Sequence, residues 1–271
     1  MPELPEVETT RRGLEPHLRG QRIEALQVHE ARLRWPVPAG LADGVQGQRI
    51  ERVERRSKYV LMRLPSSTLL WHLGMSGSLR LVLPGAPRRK HDHIELTLSS
   101  GQVLRYHDPR RFGCLLRYEG QGFDHPLLAR LGPEPLEEDF SGELLYRRSR
   151  GRKVPVKVFL MDAAVVVGVG NIYANEALFR AGIRPDRPAG RISRVRYQQL
   201  AEVVREVLTE AIAQGGSTLR DFVNGQGEPG YFQQTLAVYG RAGEPCQGCG
   251  NPLVEARLAQ RSTVYCRYCQ R

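Results

Sequence analysis

Two groups of residues in this chain have the types and spacing to do chemistry. One is a proline set among carboxyls at the amino terminus; the other is a set of four cysteines near the opposite end. The chain opens Met1-Pro2-Glu3-Leu4-Pro5-Glu6. An initiator Met before Pro is normally removed, which leaves the secondary amine of Pro2 as the terminus. An α-amino group ionises near pH 7.7–8.0, so a useful fraction is neutral at neutral pH. A neutral amine is a nucleophile toward an electrophilic carbon and forms an imine-type adduct. Glu3 and Glu6 place two carboxyls within one turn of it, either able to give or take the proton. The same residues also read as a helix start, with Pro5 in the first helical position and two acids near the positive end of the dipole. Judged on these residues alone, the helix start is the stronger reading.

The cysteines run Cys246-x2-Cys249-x16-Cys266-x2-Cys269. Two CxxC knuckles at this separation surround one tetrahedral Zn2+ with four thiolates and leave no position open for water. The site is therefore expected to be structural, clamping a β-hairpin whose tip around Gln260-Arg261-Ser262-Thr263 projects a cation. Other residues carry weaker signals. Met75 lies in Gly74-Met75-Ser76-Gly77, and Arg110 and Phe112 lie in Asp108-Pro109-Arg110-Arg111-Phe112-Gly113. An apolar or aromatic side chain beside Arg suits a wedge that fills a vacated base position, although turn packing explains such residues more often. Lys58 begins a strand within a basic patch, as a phosphate contact or a general acid/base. His91 reads as a phosphate contact and His93 as a structural hydrogen-bonding group. Arg147, Arg148, Arg150, Arg152, Lys153 and Lys157 form a basic run with no acid among them, a track for a phosphate backbone. Asn171 is expected to cap a helix whose first amides face a phosphate.

The elements that must carry these residues follow from periodicity. Leu4 to Leu18 has helical spacing, and from Arg49 to Tyr118 the period is two, with a hairpin between Ile94–Leu98 and Val103–Tyr106. Short antiparallel strands with Pro and Gly between them predict a β-sandwich or barrel. In the strand near residue 60, Val60, Met62 and Leu64 alternate with Leu61 and Arg63. Leu131-Gly132-Pro133-Glu134-Pro135 reads as a linker. Beyond it lie helices: an apolar run from Val156 to Val166, a helix from Ile172 to Ala181, and a long amphipathic helix capped by Ser193 and stopped by Gly215-Gly216. Val195 belongs to its apolar side. Asn224 to Gly230 is Gly-rich and polar, a loop candidate.

The chain has 271 residues, 41% hydrophobic and 25% charged, and two domains are the better expectation at this length. No apolar stretch approaches the roughly 20 residues needed to span a bilayer. The acidic, Pro-rich start is unlike a signal peptide, and a cytoplasmic protein without membrane contact is expected. The 40 Lys and Arg exceed the 29 Asp and Glu, for a formal net charge of +11. That balance points to a polyanionic partner, most often nucleic acid. Four of the five cysteines sit in the zinc motif and only Cys114 stands apart, so no disulfide framework is expected.

Taken together, Met1-Pro2-Glu3-Leu4-Pro5-Glu6-Val7-Glu8-Thr9, Leu73-Gly74-Met75-Ser76-Gly77, Asp108–Gly113, Gly168-Val169-Gly170-Asn171-Ile172-Tyr173-Ala174 and the four-cysteine finger resemble the bacterial formamidopyrimidine-DNA glycosylases across essentially the whole chain. The endonuclease VIII branch of that family usually opens Pro-Glu-Gly-Pro-Glu instead. The resemblance implies an α+β fold. An N-terminal β-sandwich domain with flanking helices would span 1–131, then a linker 132–136, a helix–two-turn–helix domain 137–232, and a zinc-ribbon β-hairpin 237–271, with duplex DNA in the cleft between domains. It also implies a monomer that excises oxidised purines from damaged double-stranded DNA and then cleaves the strand, using one structural Zn2+ and no catalytic metal or organic cofactor.

Carried over by residue, Pro2 would be the nucleophile at C1′ and Glu3 the proton donor that helps open the sugar. Lys58 would contact the lesion or its phosphate and donate a proton in β-elimination, and Arg261 would bind the flanking phosphate and assist δ-elimination. His91, Arg110, Arg152, Lys157 and Asn171 match DNA contacts, and Met75, Arg110 and Phe112 match the void-filling triplet. The segment near 224–231 matches the loop that closes over an everted purine. Glu6 is left as either an active-site contact or an orienting partner for the terminus. Arg152 stands where relatives often have Lys, and Cys114 has no role to carry over. Three rival readings remain: an endonuclease VIII-like enzyme for oxidised pyrimidines, a non-catalytic zinc-finger DNA-binding protein, and an RNA-associated zinc-ribbon protein.

Overall fold

The computed structural model describes residues 1–215 and 236–271; the loop candidate at 224–231 and the helix stop at Gly216 lie outside the described residues. Two compact units divide the chain, the first formed by Met1–Ala129 and the second by Arg130–Ala213 continuing over 236–271.

In the first unit, helix α1 (Leu4–Leu18) precedes β1 (Ile23–Val28), the short α2 (Leu41–Val45) and strands β2 (Arg52–Arg56), β3 (Tyr59–Arg63), β4 (Ser67–His72), β5 (Ser78–Val82), β6 (Asp92–Leu98), β7 (Val103–His107) and β8 (Cys114–Glu119). The strands form two antiparallel sheets, β1-β6-β7-β5 and β2-β3-β4-β8. They pack face to face, which is the expected β-sandwich: Trp71 of β4 and Tyr106 of β7 meet across the core with ring centroids 5.6 Å apart. Val7, Leu14 and Leu18 of α1 join that core, at the stripe their spacing predicts. The helix start differs by one residue from expectation, because Glu3 is the N-cap, Leu4 is the first helical residue and Pro5 the second. β3 departs from simple alternation. Val60, Leu61 and Met62 are all buried. Arg63 is buried too; its guanidinium donates to Glu54 at 2.8 Å, Thr68 at 2.9 Å and Tyr118 at 3.0 Å. A buried cation is tolerated there because its donors are answered.

The second unit carries α3 (Gly142–Ser149), α4 (Val156–Leu160), α5 (Asn171–Arg180), α6 (Arg194–Ala213) and a hairpin of β9 (Val254–Leu258) with β10 (Arg261–Tyr265). The Ser141 hydroxyl caps α3 by accepting the Leu144 amide at 3.2 Å. The apolar run expected to be helical to Val166 stops at Leu160; Val165, Val166 and Val167 are buried in the turn that follows. Their hydrophobicity serves packing rather than helical period. Val195, counted on the apolar side of α6, is 72% exposed, whereas Leu200, Val204 and Leu208 are buried. In the hairpin, Ala259 and Gln260 form the turn with φ of +47° and +61°. Arg261 is therefore the first residue of β10 and not the tip itself.

Candidate active site and nucleic-acid contacts

The start of α1 fixes the terminal residues. The backbone N–H of Glu3 donates to Oε2 of Glu6 at 2.7 Å, while the Glu3 side chain accepts the Glu6 amide, a reciprocal capping box. Both acids are buried, at 2% and 0% exposure, as is Pro2. This chain carries Met1, so its terminal amine belongs to Met1 and stands in, one residue ahead, for the Pro2 amine of the processed chain. The ionisation of that amine is lowered chiefly by burial; Glu3 and Glu6 raise it, and Lys58 and Arg110 lower it. Two carboxyls from the start of α1 and two cations from remote turns thus act on one nitrogen. The helix start and the chemical site are one structure.

Lys58 does not begin a strand. It occupies the two-residue turn between β2 and β3, beside Ser57 at φ +56°. The end of β4 supplies His72, which motif reading missed although it directly precedes the Leu73-Gly74 motif. Its ionisation is pushed down to about 4 by burial first, then by the charges of Lys58 and Arg34. The His72 Nδ1 accepts the Gly74 amide at 3.0 Å, so a neutral ring has its proton on Nε2. Met75 is half-buried in the turn between β4 and β5, while Arg110 and Phe112 are exposed between β7 and β8. The Arg110 guanidinium lies 4.9 Å from the Phe112 ring centroid. His91 has φ +74°, and its ionisation is lowered by burial and then by Lys90 and His107. His93 is buried, with Nε2 2.8 Å from the Asp108 carbonyl, a structural group as read from sequence.

In the second unit, the sulfurs of Cys246, Cys249, Cys266 and Cys269 all lie within 4.8 Å of one another. Cys246 and Cys269 are 3.8 Å apart, and Cys249 and Cys266 3.5 Å. Tetrahedral Zn–S bonds of about 2.3 Å place sulfurs roughly 3.8 Å apart, so the donor set fits one structural Zn2+. Val238, Leu253 and Val264 form a small core beneath it. Arg261 and Arg152 are exposed.

Lys157, expected as a phosphate contact, is 1% exposed and donates to the Ser262 carbonyl at 2.9 Å and the Thr263 hydroxyl at 2.7 Å. A cation buried this way pins the strand that carries Arg261. Asn171 is likewise not a cap: Gly170 takes that position and Asn171 is the first residue of α5. Its side-chain oxygen is buried without a hydrogen-bond partner among the described residues. Two further residues escaped the sequence reading. Asn175, one turn along α5, donates to the Asn171 carbonyl at 2.6 Å and accepts the Val264 amide of β10 at 3.1 Å. The Glu176 carboxylate accepts the amides of Ala237, Val238 and Tyr239 at 2.8, 3.0 and 2.8 Å. The i, i+4 spacing of the two asparagines was the only sequence sign of either.

A β-sandwich with its terminus buried among carboxyls, together with a helix–two-turn–helix unit ending in a four-thiolate hairpin, defines a two-unit class of zinc-hairpin protein. Residues 1–115 match the formamidopyrimidine-DNA glycosylase N-terminal domain, 131–223 the formamidopyrimidine-DNA glycosylase H2TH domain, and 243–271 the zinc finger found in FPG and IleRS. Formamidopyrimidine-DNA glycosylases of Hahella chejuensis and Stutzerimonas stutzeri are 61% and 63% identical to this chain, over 100% of each protein. The Lactococcus lactis Fpg in complex with DNA containing an abasic site superposes with a TM-score of 0.92 at 34% identity, covering 99% of both chains. The Thermus thermophilus MutM (FPG) protein gives 0.89 at 42% identity, covering 99% of this chain and 98% of that one. The chain belongs to the formamidopyrimidine-DNA glycosylase family.

Proposed function

We infer that this chain is a base-excision-repair DNA glycosylase and abasic-site lyase acting on damaged duplex DNA. We assign it oxidised purines as substrates, as the Pro-Glu-Leu-Pro-Glu opening favours over the pyrimidine-directed branch. The observation that carries the reading is the buried amino terminus, where Pro2 lies at the Glu3–Glu6 capping box. Support also comes from Lactococcus lactis Fpg structures with DNA containing an abasic site or Fapy-dG.

A base stacked in a duplex is out of reach, so the nucleotide must be everted, at a cost of a few kcal/mol. Phosphate contacts from Arg152, Arg261, His91 and the basic run offset that cost and make binding salt-dependent. Met75, Arg110 and Phe112 fill the vacancy. The Pro2 nitrogen attacks C1′ and the N-glycosidic bond breaks, its electron pair leaving with the base. Glu3 supplies the proton that opens the sugar, and the C1′–N bond becomes an iminium. That cation acidifies C2′, so loss of a C2′ proton expels the 3′ phosphate, and a second elimination expels the 5′ phosphate. Lys58 serves the first elimination and Arg261 the second. Every electron pair is accounted for without an oxidant or a metal-bound nucleophile. The zinc supplies folding free energy to the hairpin that carries Arg261.

Action on duplex DNA in a bacterial family is consistent with a cytoplasmic protein that associates with the nucleoid when bound to DNA; among the described residues no helix is long and apolar enough to cross a membrane. Borohydride should reduce the iminium and trap one covalent protein–DNA adduct on an 8-oxoguanine duplex. Absence of an adduct with protein shown to lack Met1 rules out the Pro2 mechanism. Base release with intact strands and no adduct points instead to a monofunctional enzyme.

A further inference from the structure

The Met75 turn and the Arg110–Phe112 loop come from different strand connections, yet their backbones touch. A Cβ on Gly74 (φ +68°) would lie 2.6 Å from the Gly113 nitrogen and 2.7 Å from the Phe112 carbonyl carbon. A Cβ on Gly113 would overlap the Tyr106 hydroxyl and the His72 carbonyl oxygen. The contact leaves no room for a side chain between the two loops, and one carboxylate organises it. Asp108 is wholly buried, and its Oδ2 accepts the Tyr106 hydroxyl at 3.0 Å and the Gly113 amide at 2.9 Å. Its backbone carbonyl accepts the Arg111 amide at 3.2 Å and stands 2.8 Å from His93 Nε2. The Tyr106 hydroxyl also lies 3.1 Å from the His72 carbonyl, at the end of the strand that precedes the Met75 turn. Burial, followed by the Asp108 charge, raises the ionisation of Tyr106 well above its ordinary value, so the hydroxyl remains a proton donor. The second carboxylate oxygen, Oδ1, is buried with no hydrogen-bond partner among the described residues. Burying a carboxylate only partly satisfied is costly, and stability alone does not call for it.

We propose that Asp108 and Tyr106 are positioning residues that lock the Met75 turn to the Arg110–Phe112 loop, making the three side chains one preformed wedge. The inference rests on the reading that Met75, Arg110 and Phe112 fill the space left by an everted nucleotide. A wedge must displace stacked bases, and two independently mobile loops would have to be ordered at that moment, weakening insertion. The clamp moves that ordering into folding. It also ties the wedge to His72, whose ring senses the charge of Lys58.

Tyr106→Phe is the clean test, because it keeps the ring against Trp71 and deletes only the hydroxyl. Excision of 8-oxoguanine from a duplex should fall about tenfold, the scale of a lost hydrogen bond to a charged group. Cleavage at an abasic site in a single strand, where no opposing base leaves a vacancy to fill, should stay within about twofold. In a Met75→Ala background, Tyr106→Phe should lower duplex excision no further, since the wedge it positions is already gone. Equal losses on duplex and single strand, or losses that multiply in the double variant, overturn the clamp. Unchanged duplex excision in Tyr106→Phe does so too. A Met75→Ala protein with normal duplex excision refutes the wedge reading itself, and that result is separate from any behaviour of Tyr106. Asp108→Asn, which sets an amide against the Gly113 N–H, is read only beside its thermal melting; a folded variant should match Tyr106→Phe.

Discussion

The amino terminus and the zinc hairpin must each hold one functional group still, and they do so by different physics. At the terminus the constraint is packing plus a capping box: Pro2, Glu3 and Glu6 are buried and the box is closed by a single 2.7 Å bond and its reciprocal. At the hairpin the constraint is coordination at the base, with Lys157 and Asn175 bonding β10 to the helices. The first device is built from many contacts of modest strength, the second from a few strong ones. The terminus should therefore tolerate single changes around it but not a change to the amine, whereas the hairpin should fail as a unit when its metal leaves.

The largest effect should come from closing off the amine. Retained Met1 or an acetyl group on Pro2 should abolish the borohydride-trapped adduct, because no secondary amine is left to attack C1′. Pro2→Gly keeps a terminal amine and should keep part of the activity. Burial lowers the ionisation of the amine in this environment, so adduct formation should hold through neutral pH and decline only below the usual α-amino range. A rate that falls with a midpoint at or above about 8 would contradict that burial.

Removing zinc should come next. Elemental analysis should find one Zn2+ per chain, and stripping it in denaturant-free chelator should unfold the hairpin, since metal binding of this kind is folding free energy of order 10 kcal/mol. Duplex binding and excision should be lost together. The chain has two tryptophans, Trp35 and Trp71, both in the first unit, so their fluorescence reports the sandwich separately. Tryptophan emission that changes along with zinc loss would mean the two regions are not independently held, and the comparison would break.

How much of this was legible in the sequence follows the same division. The cysteine spacing exposed the hairpin outright, because two CxxC pairs at this separation supply all four ligands of one tetrahedral ion. The sandwich and α1 were legible because burial on one side imposes a period, and α1 runs over Leu4–Leu18 as its spacing predicts. Legibility ended where tertiary contacts override the period. Arg63 reads as an outward residue, yet it is buried among Glu54, Thr68 and Tyr118, which lie elsewhere in the sequence. Lys157 reads as part of a basic track because composition cannot show that Thr263, more than a hundred residues on, accepts a hydrogen bond from its ammonium. His72, Asp108 and Tyr106 have no spacing signature, since their roles arise from strands meeting across the sandwich.

A moderate effect separates the two readings of Lys157. Lys157→Met fills the same volume but leaves the Ser262 carbonyl and Thr263 hydroxyl without their donor, at a cost of roughly 1–3 kcal/mol to the hairpin. If Lys157 only positions β10, affinity for duplex should fall while the slope of log K against log salt stays unchanged. A direct phosphate contact would instead reduce that slope by about one. An altered slope would return Lys157 to the contact set and weaken the case that the hairpin is held by side chains as well as metal.

The smallest effect should be at Glu6. In Glu6→Gln the amide oxygen can still accept the Glu3 N–H, so the capping box keeps its geometry and loses a charge at the positive end of α1. The expected loss in stability is about 0.3–1 kcal/mol, with trapping reduced only a few-fold. Glu6→Ala also removes the acceptor and should cost more, about 1 kcal/mol for a lost cap, in proportion between stability and activity. A Gln variant that melts like the parent but traps more than a hundredfold more slowly would give Glu6 a proton-transfer role at the amine. The terminus would then be held partly by the groups that react there, and its tolerance of single changes would not extend to Glu6.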